Sequence, residues 1–190
     1  MWCDVGVRAT GSELAVLLAG ARGGSPVAFE RIYEELAPSV ASYLRWNGAA
    51  DVDGLTNEVM ANVHRGIGGF EGDWTAFRSW VFTIAHHRLV DEHRAARRRP
   101  VAVEEVSEAH AAVSHVEDDT LRVLGDESVA ALLAVLSSDQ RDVLLLRVVA
   151  DLSLEEAAEA LHKSIGAVKS LQHRALGALR RHLAVEEVGP

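Results

Sequence analysis

Apolar residues recur three and four positions apart along most of this chain, and strict apolar–polar alternation is scarce, so the pattern predicts helices throughout. Ser12 can cap a short helix through Ala21, and Gly23-Gly24-Ser25-Pro26 ends it and opens the next, with Pro26 in a first-turn position. Phe29, Ile32, Tyr33 and Leu36 share one face of that second helix. The same spacing continues past Pro38 through Val40, Tyr43, Leu44 and Trp46, so the proline breaks or kinks the helix without ending the pattern.

After the Asn47-Gly48 turn signal, Asp51 or Asp53 can cap a third helix bearing Leu55, Val59, Met60 and Val63, and the Gly66-Ile67-Gly68-Gly69 cluster closes it. The loop Phe70 to Trp74 leads into a long helix from about Thr75 to Arg98, with Pro100 as its limit. A further helical group begins near Asp126 and includes Val129, Leu132, Leu133, Val135 and Leu136. Ser137 or Ser138 opens another helix through Ala150.

The last stretch, Leu152 to Leu183, reads as two helices joined by a tight turn. Ser153 with Glu156 forms a capping box ahead of Leu154, Ala157, Ala158 and Leu161. Ser164 can cap the second helix, which is expected to pack through Ile165, Val168, Leu171, Leu176 and Leu179. From Lys163 to His182 there are five Lys or Arg residues and no carboxylate, in a chain whose formal net charge is -9. A basic helix in an acidic protein points to a polyanionic partner, with a solvated face on an ordinary helical hairpin as the plainer alternative.

Between the two helical groups, residues 101–127 hold eight carboxylates against Arg122, and their Val and Ala content has no sustained period. Such a segment reads as an acidic, flexible linker. The expected organisation is a loose N-terminus over 1–11, a helical domain over 12–100, the linker over 101–127, a helix-turn-helix domain over 128–184 and a tail over 185–190. Cys3 has no partner for an internal disulfide. The chain shows neither a membrane-length apolar run nor a signal-peptide pattern, so the expected compartment is the cytoplasm.

Four segments together resemble a known family: AFERIYEELAPSVASYL, DVDGLTNEVMANV, FEGDWTAFRSWVFTIAHHRLVDEHRAARRR and LSSDQRDVLLLRVVADLSLEEAAEALHKSIGAVKSLQHRAL. In this order and spacing the chain, from about Glu13 to Leu183, is similar to the extracytoplasmic-function (ECF) group of bacterial sigma-70 family RNA polymerase sigma factors. The resemblance implies an all-α fold of two small helical domains, sigma-2-like and sigma-4-like, joined by the acidic linker. It implies an alternative sigma factor that binds core RNA polymerase and promoter DNA, with an anti-sigma factor as a further partner.

Carried over position by position, the resemblance assigns Asp51, Asp53, Leu55 and Glu58 to the surface that docks on the beta-prime coiled coil of core polymerase. Gly54 departs from the acidic residue usual there. Phe70, Trp74 and Arg78 fall where the minus-ten element is opened and read, while Phe77, Trp80, Val81 and Ile84 are expected in the core. His86, His87, Arg88, Arg94, Arg97 and Arg98 continue along the same helix as a DNA-facing surface, with the arginine run contacting phosphate. Lys163, Ser164, Lys169, Gln172, His173 and Arg174 fall in the region matching the minus-thirty-five recognition helix, where Gln and Arg can read base edges. Ala167 and Leu171 replace the Thr and Arg common in the family.

A metal site is the competing reading of the histidines. Adjacent helical positions point about 100° apart, however, and the Cys or carboxylate spacing of a zinc site is absent. No cofactor is expected. An enzyme is disfavoured because no nucleophile elbow or phosphate loop is present. The main rival is a conventional helix-turn-helix regulator that binds duplex DNA without polymerase.

Overall fold

In the computed structural model, residues 11–98 and 128–186 are described. The expectations for residues 1–10, for the linker and for the last four residues lie outside them. The chain order is α1 (Gly11–Arg22), α2 (Pro26–Trp46), α3 (Val52–Gly66), a 3-10 turn (Ile67–Gly69) and α4 (Trp74–Arg98). After the gap come α5 (128–134), α6 (Ser138–Val148), α7 (Leu154–Ala160) and α8 (Ile165–Glu186). Among the described residues there is no strand, and no helix is long and apolar enough to cross a membrane.

Local chemistry places most helix starts. Ser25 accepts the Ala28 N–H at 3.3 Å with Pro26 in the first turn, and Asp51 accepts the Gly54 N–H at 2.9 Å. Ser137–Gln140 and Ser153–Glu156 both form complete capping boxes, and Ser164 Oγ accepts from Ala167 N at 3.2 Å. These contacts satisfy donors that the first turn of a helix leaves open. Gly11 and Ser12 are already helical, so α1 begins one residue before the expected cap.

Helix α2 runs unbroken through Pro38. Pro38 lies on the exposed side, while Leu36, Ala37 and Val40 are buried around it. Burial of those neighbours offsets the cost of about 3 kcal/mol for an interior proline.

The core of the N-terminal unit is built by Ile32, Leu36, Val40, Tyr43 and Leu44 of α2, Leu55, Val59, Met60 and Val63 of α3, and Phe77, Val81, Phe82, Ala85 and Leu89 of α4. Trp80 and Ile84 are half-buried at its margin. In the C-terminal unit, α7 buries Ala157, Ala158 and Ala160, and α8 buries Val168, Leu171 and Ala175. Two expected core positions of α8 face outward instead, Ile165 at 41% and Leu176 at 37% exposure. The α6–α8 contact centres on Ala175 with Leu136 and Leu144, which rotates Leu176 out of the seam. Tyr33 is also exposed, with its hydroxyl donating to Asn57 Oδ1 at 2.9 Å.

The units pack against each other. Val143, Leu145, Leu146, Leu152 and Leu161 belong to the same apolar cluster as the N-terminal core, and the main crossings are α7 on α4 and α6 on α2.

Candidate nucleic-acid interface

On α3, Asp53 and Glu58 are exposed, whereas Leu55 is buried and holds the helix to the core. Asp51 is occupied as the N-cap. A Cβ at Gly54 would lie 2.2 Å from Asp51 Oδ2, so the glycine at the position where the family carries an acid makes room for this cap. The backbone ahead of α3 is tied to α4, since Glu92 accepts from Ala50 N at 3.3 Å and from Asp51 N at 3.5 Å.

The loop before α4 forms an aromatic platform. Phe70 stacks on Trp80 with centroids 5.2 Å apart and meets Phe77 edge-on at 5.3 Å; Trp74 lies 5.6 Å from Phe77. The Arg22 guanidinium sits 5.3 Å over the Phe70 ring and donates to the Gly72 carbonyl. Gly72 has φ 140, and a Cβ there would meet the Phe70 ring at 3.1 Å, so glycine allows the loop to close on the ring. Phe70 and Trp74 are both half-buried.

The α4 residues assigned to the minus-ten strand divide into two groups. Arg94, Arg97 and Arg98 are exposed, with Arg94 3.7 Å from Asp91, and Arg88 is half-buried and donates to Asn62 Oδ1 at 3.2 Å. Arg78, His86 and His87 instead face the C-terminal unit. One Arg78 terminal nitrogen donates to both the carbonyl and the carboxylate of Asp151 at 2.8 Å, and His87 Nε2 lies 2.9 Å from His162 Nε2.

His86 is held in a buried chain. Its Nδ1 is 2.9 Å from the Tyr43 hydroxyl, which lies 3.3 Å from Asp142 Oδ1. Burial, then the neighbouring His87, His162 and Lys163, lower the His86 pKa to about 4. Burial raises that of Asp142 to about 6, against the hydrogen bond from Tyr43, and burial raises Tyr43 further above its usual value. At neutral pH His86 is therefore uncharged, and its 3.9 Å approach to Asp142 is not an ion pair. The protons balance when His86 Nδ1–H donates to the Tyr43 oxygen and Tyr43 donates to Asp142.

At the start of α8, Lys169, His173 and Arg174 are exposed on one side with Ser164, Gly166, Ala167 and Ser170, while Gln172 is half-buried. Leu171 is buried, so the position where the family has Arg faces inward here. Lys163 is drawn toward Asp139 at 3.3 Å, and Arg174 Nε donates to the Ser170 carbonyl at 3.3 Å. Tyr43, Asp142, Asp151 and His162 are not identified by sequence reasoning, because each gains its role from a residue at least 43 positions away.

The model of sigma-70 region 2 matches residues 32–99, and that of sigma-70 region 4 matches residues 132–181. The ECF RNA polymerase sigma factor BldN of Streptomyces coelicolor is 31% identical over 175 residues, covering 90% of this chain and 66% of its own. SigD of Mycobacterium tuberculosis, also an ECF RNA polymerase sigma factor, is 32% identical over 177 residues, covering 90% of this chain and 84% of its own. The solved structure of CnrH in complex with the cytosolic domain of CnrY shares the fold, with a TM-score of 0.65 at 24% identity over 90% of this chain and 97% of that one. With both regions present in order and relatives that span nearly its whole length, the chain belongs to the ECF group of the sigma-70 family of RNA polymerase sigma factors.

Proposed function

We propose that this protein is an alternative sigma factor, which binds core RNA polymerase and directs it to one class of promoter. The observation that carries the reading is the succession of a region 2 unit, with its aromatic platform and basic α4, and a region 4 unit with an exposed basic α8. Asp53 and Glu58 offer carboxylates to an arginine-bearing coiled coil while Leu55 and Val59 anchor their helix. Trp74 and Phe70 supply stacking surface for unpaired bases, with Arg88, Arg94, Arg97 and Arg98 for the backbone. Lys169, Gln172, His173 and Arg174 enter the major groove of the upstream element.

In this reading residues 12–100 and 128–184 are the two working domains, and 101–127 is the tether between them. The protein carries out no covalent chemistry itself, acts in the cytoplasm where polymerase works, and has an anti-sigma factor as a regulator. A net charge of -9 limits indiscriminate DNA binding by the free protein. Reconstituted transcription with purified core polymerase tests the proposal: initiation from selected promoters that depends on this chain is expected. Tight sequence-specific binding of duplex by the free protein, with no effect on polymerase, would establish the conventional-regulator reading instead.

A further inference from the structure

Arg22 is the last residue of α1, a position where a cation meets the carbonyl end of a helix favourably. Its side chain does more than that. The guanidinium lies 5.3 Å over the Phe70 ring, and one terminal nitrogen donates to the Gly72 carbonyl, 50 positions along the chain. Arg22 Nε is buried with no hydrogen-bond partner among the described residues, a cost that a side chain extended into water would avoid. Leu14, Leu18 and Ala21 are buried and fix the helix from which it reaches.

The loop it meets is anchored at both ends by short-range contacts. The Phe70 N–H donates to the Ile67 carbonyl at 3.1 Å, while Asp73 accepts from Ala76 N through its side chain and from Phe77 N through its carbonyl, both at 2.9 Å. Between these anchors Glu71 and Gly72 are exposed. At its φ of 140, a Cβ on Gly72 would meet both the Phe70 ring and the Ala76 Cβ at 3.1 Å. Glycine permits this closed form without enforcing it, because it adopts other backbone conformations about as readily. Among the described residues, the hydrogen bond that reaches Gly72 from outside the loop is that of Arg22. A planar guanidinium suits the task, since it can lie over an aromatic ring and donate to a carbonyl at once.

We propose that Arg22 is a positioning residue for the minus-ten element, holding the Phe70–Asp73 loop in the closed form that meets the separated strand while making no contact with DNA itself. The proposal rests on the assignment of this loop to the minus-ten element. A preset loop binds tighter because its ordering is not left to the moment of contact. Where loss of Arg22 leaves the closed form at one tenth of the population, affinity for the melted element falls about tenfold.

The test uses the full chain bound to core polymerase and a fluorescein-labelled promoter from which the wild-type holoenzyme initiates, carrying a pre-melted bubble at the minus-ten element. Arg22→Met removes the clamp and keeps the length of the side chain. Gly72→Ala disfavours the same closed form from the other side and removes no charged group. Each variant should bind the bubble about tenfold more weakly than wild type, with unchanged affinity for core polymerase. The double variant should be no worse than either single one, because both act on one conformation. The salt dependence of Arg22→Met should match that of wild type, whereas loss of a direct phosphate contact lowers the slope by about one.

Wild-type affinity in either single variant, additive losses in the double variant, or a slope reduced by about one overturns the positioning role. A wild-type chain that binds no core polymerase or supports no initiation would instead count against the sigma-factor reading.

Discussion

One terminal nitrogen of Arg78 sits 2.8 Å from both the carbonyl and the carboxylate oxygen of Asp151, joining a residue of α4 to the turn after α6 across 73 positions of chain. The Asp151 side chain is largely exposed, so the ion pair itself is worth no more than about 1 kcal/mol. The left-handed φ of 51 has the larger consequence. Asp151→Ala should therefore be less stable than Asp151→Gly by on the order of 1 kcal/mol, since both lose the carboxylate but only alanine pays for the conformation. Urea unfolding of the two proteins checks the order.

The buried chain predicts an unusual pH response. Asp142, raised from 3.8 to about 6, contributes stability that is full below 3.8 and lost as pH rises through 6. His86, lowered from 6.5 to about 4, contributes stability that is full above 6.5 and lost as pH falls through 4. The two slopes oppose each other between pH 4 and 6, leaving the pair nearly neutral there in the wild type. Asp142→Asn should be more stable than wild type at pH 7.5 by on the order of 1–3 kcal/mol, an advantage that shrinks toward pH 4. Thermal melts across pH 4 to 8 supply the comparison, and an advantage that grows toward acid would contradict the assignment.

At the start of α3, Asp51 and Gly54 are predicted to be coupled. Alanine at 54 gains up to about 1 kcal/mol of helix propensity but displaces the Asp51 carboxylate, a cap of about the same value. Gly54→Ala alone should be close to neutral, whereas in an Asp51→Ala background it should stabilise by about 1 kcal/mol. A double-mutant cycle in urea reads the coupling directly.

Replacing Asp53 and Glu58 by Lys should weaken association with core polymerase while changing stability by less than about 0.5 kcal/mol, because both side chains are exposed. Titration of labelled protein against core polymerase measures the first effect and thermal melting the second. Unchanged affinity would remove this face from the interface.

The upstream and downstream contacts should fail differently. Arg174→Ala should cost on the order of 1–3 kcal/mol in duplex engagement if its side chain reads a base edge. Trp74→Ala should leave initial binding nearly intact and impair melting, because a stacking residue acts once bases leave the helix. Transcription from a promoter carrying a pre-melted bubble separates them. A bubble that restores the Arg174 variant better than the Trp74 variant reverses the proposed division.

Much of the local architecture is legible in the chain itself. Ser25-Pro26, Asp51 or Asp53, Ser137 or Ser138, Ser153 and Ser164 mark helix starts in the sequence, and the structure selects Asp51 and Ser137 from the two pairs, because a cap acts on N–H groups only two or three residues away. The apolar spacing likewise identifies Ile32, Leu36, Val59, Val63, Val168 and Leu171 as buried, since helical geometry alone puts them on one face. Ile165 and Leu176 share that spacing yet are exposed; which edge of an apolar stripe is covered depends on the crossing of α6, α7 and α8. The histidines divide for the same reason. His86 and His87 are neighbours in sequence, but only the packing of α2 and α6 makes one a buried, uncharged link to Tyr43, while the turn after α7 gives the other His162 as its partner. Short-range hydrogen bonding and periodicity thus determined the helices and the family resemblance, whereas the charge state of His86 and the covering of Arg78 and His87 required contacts between residues 43 to 75 positions apart, which tertiary packing alone supplies.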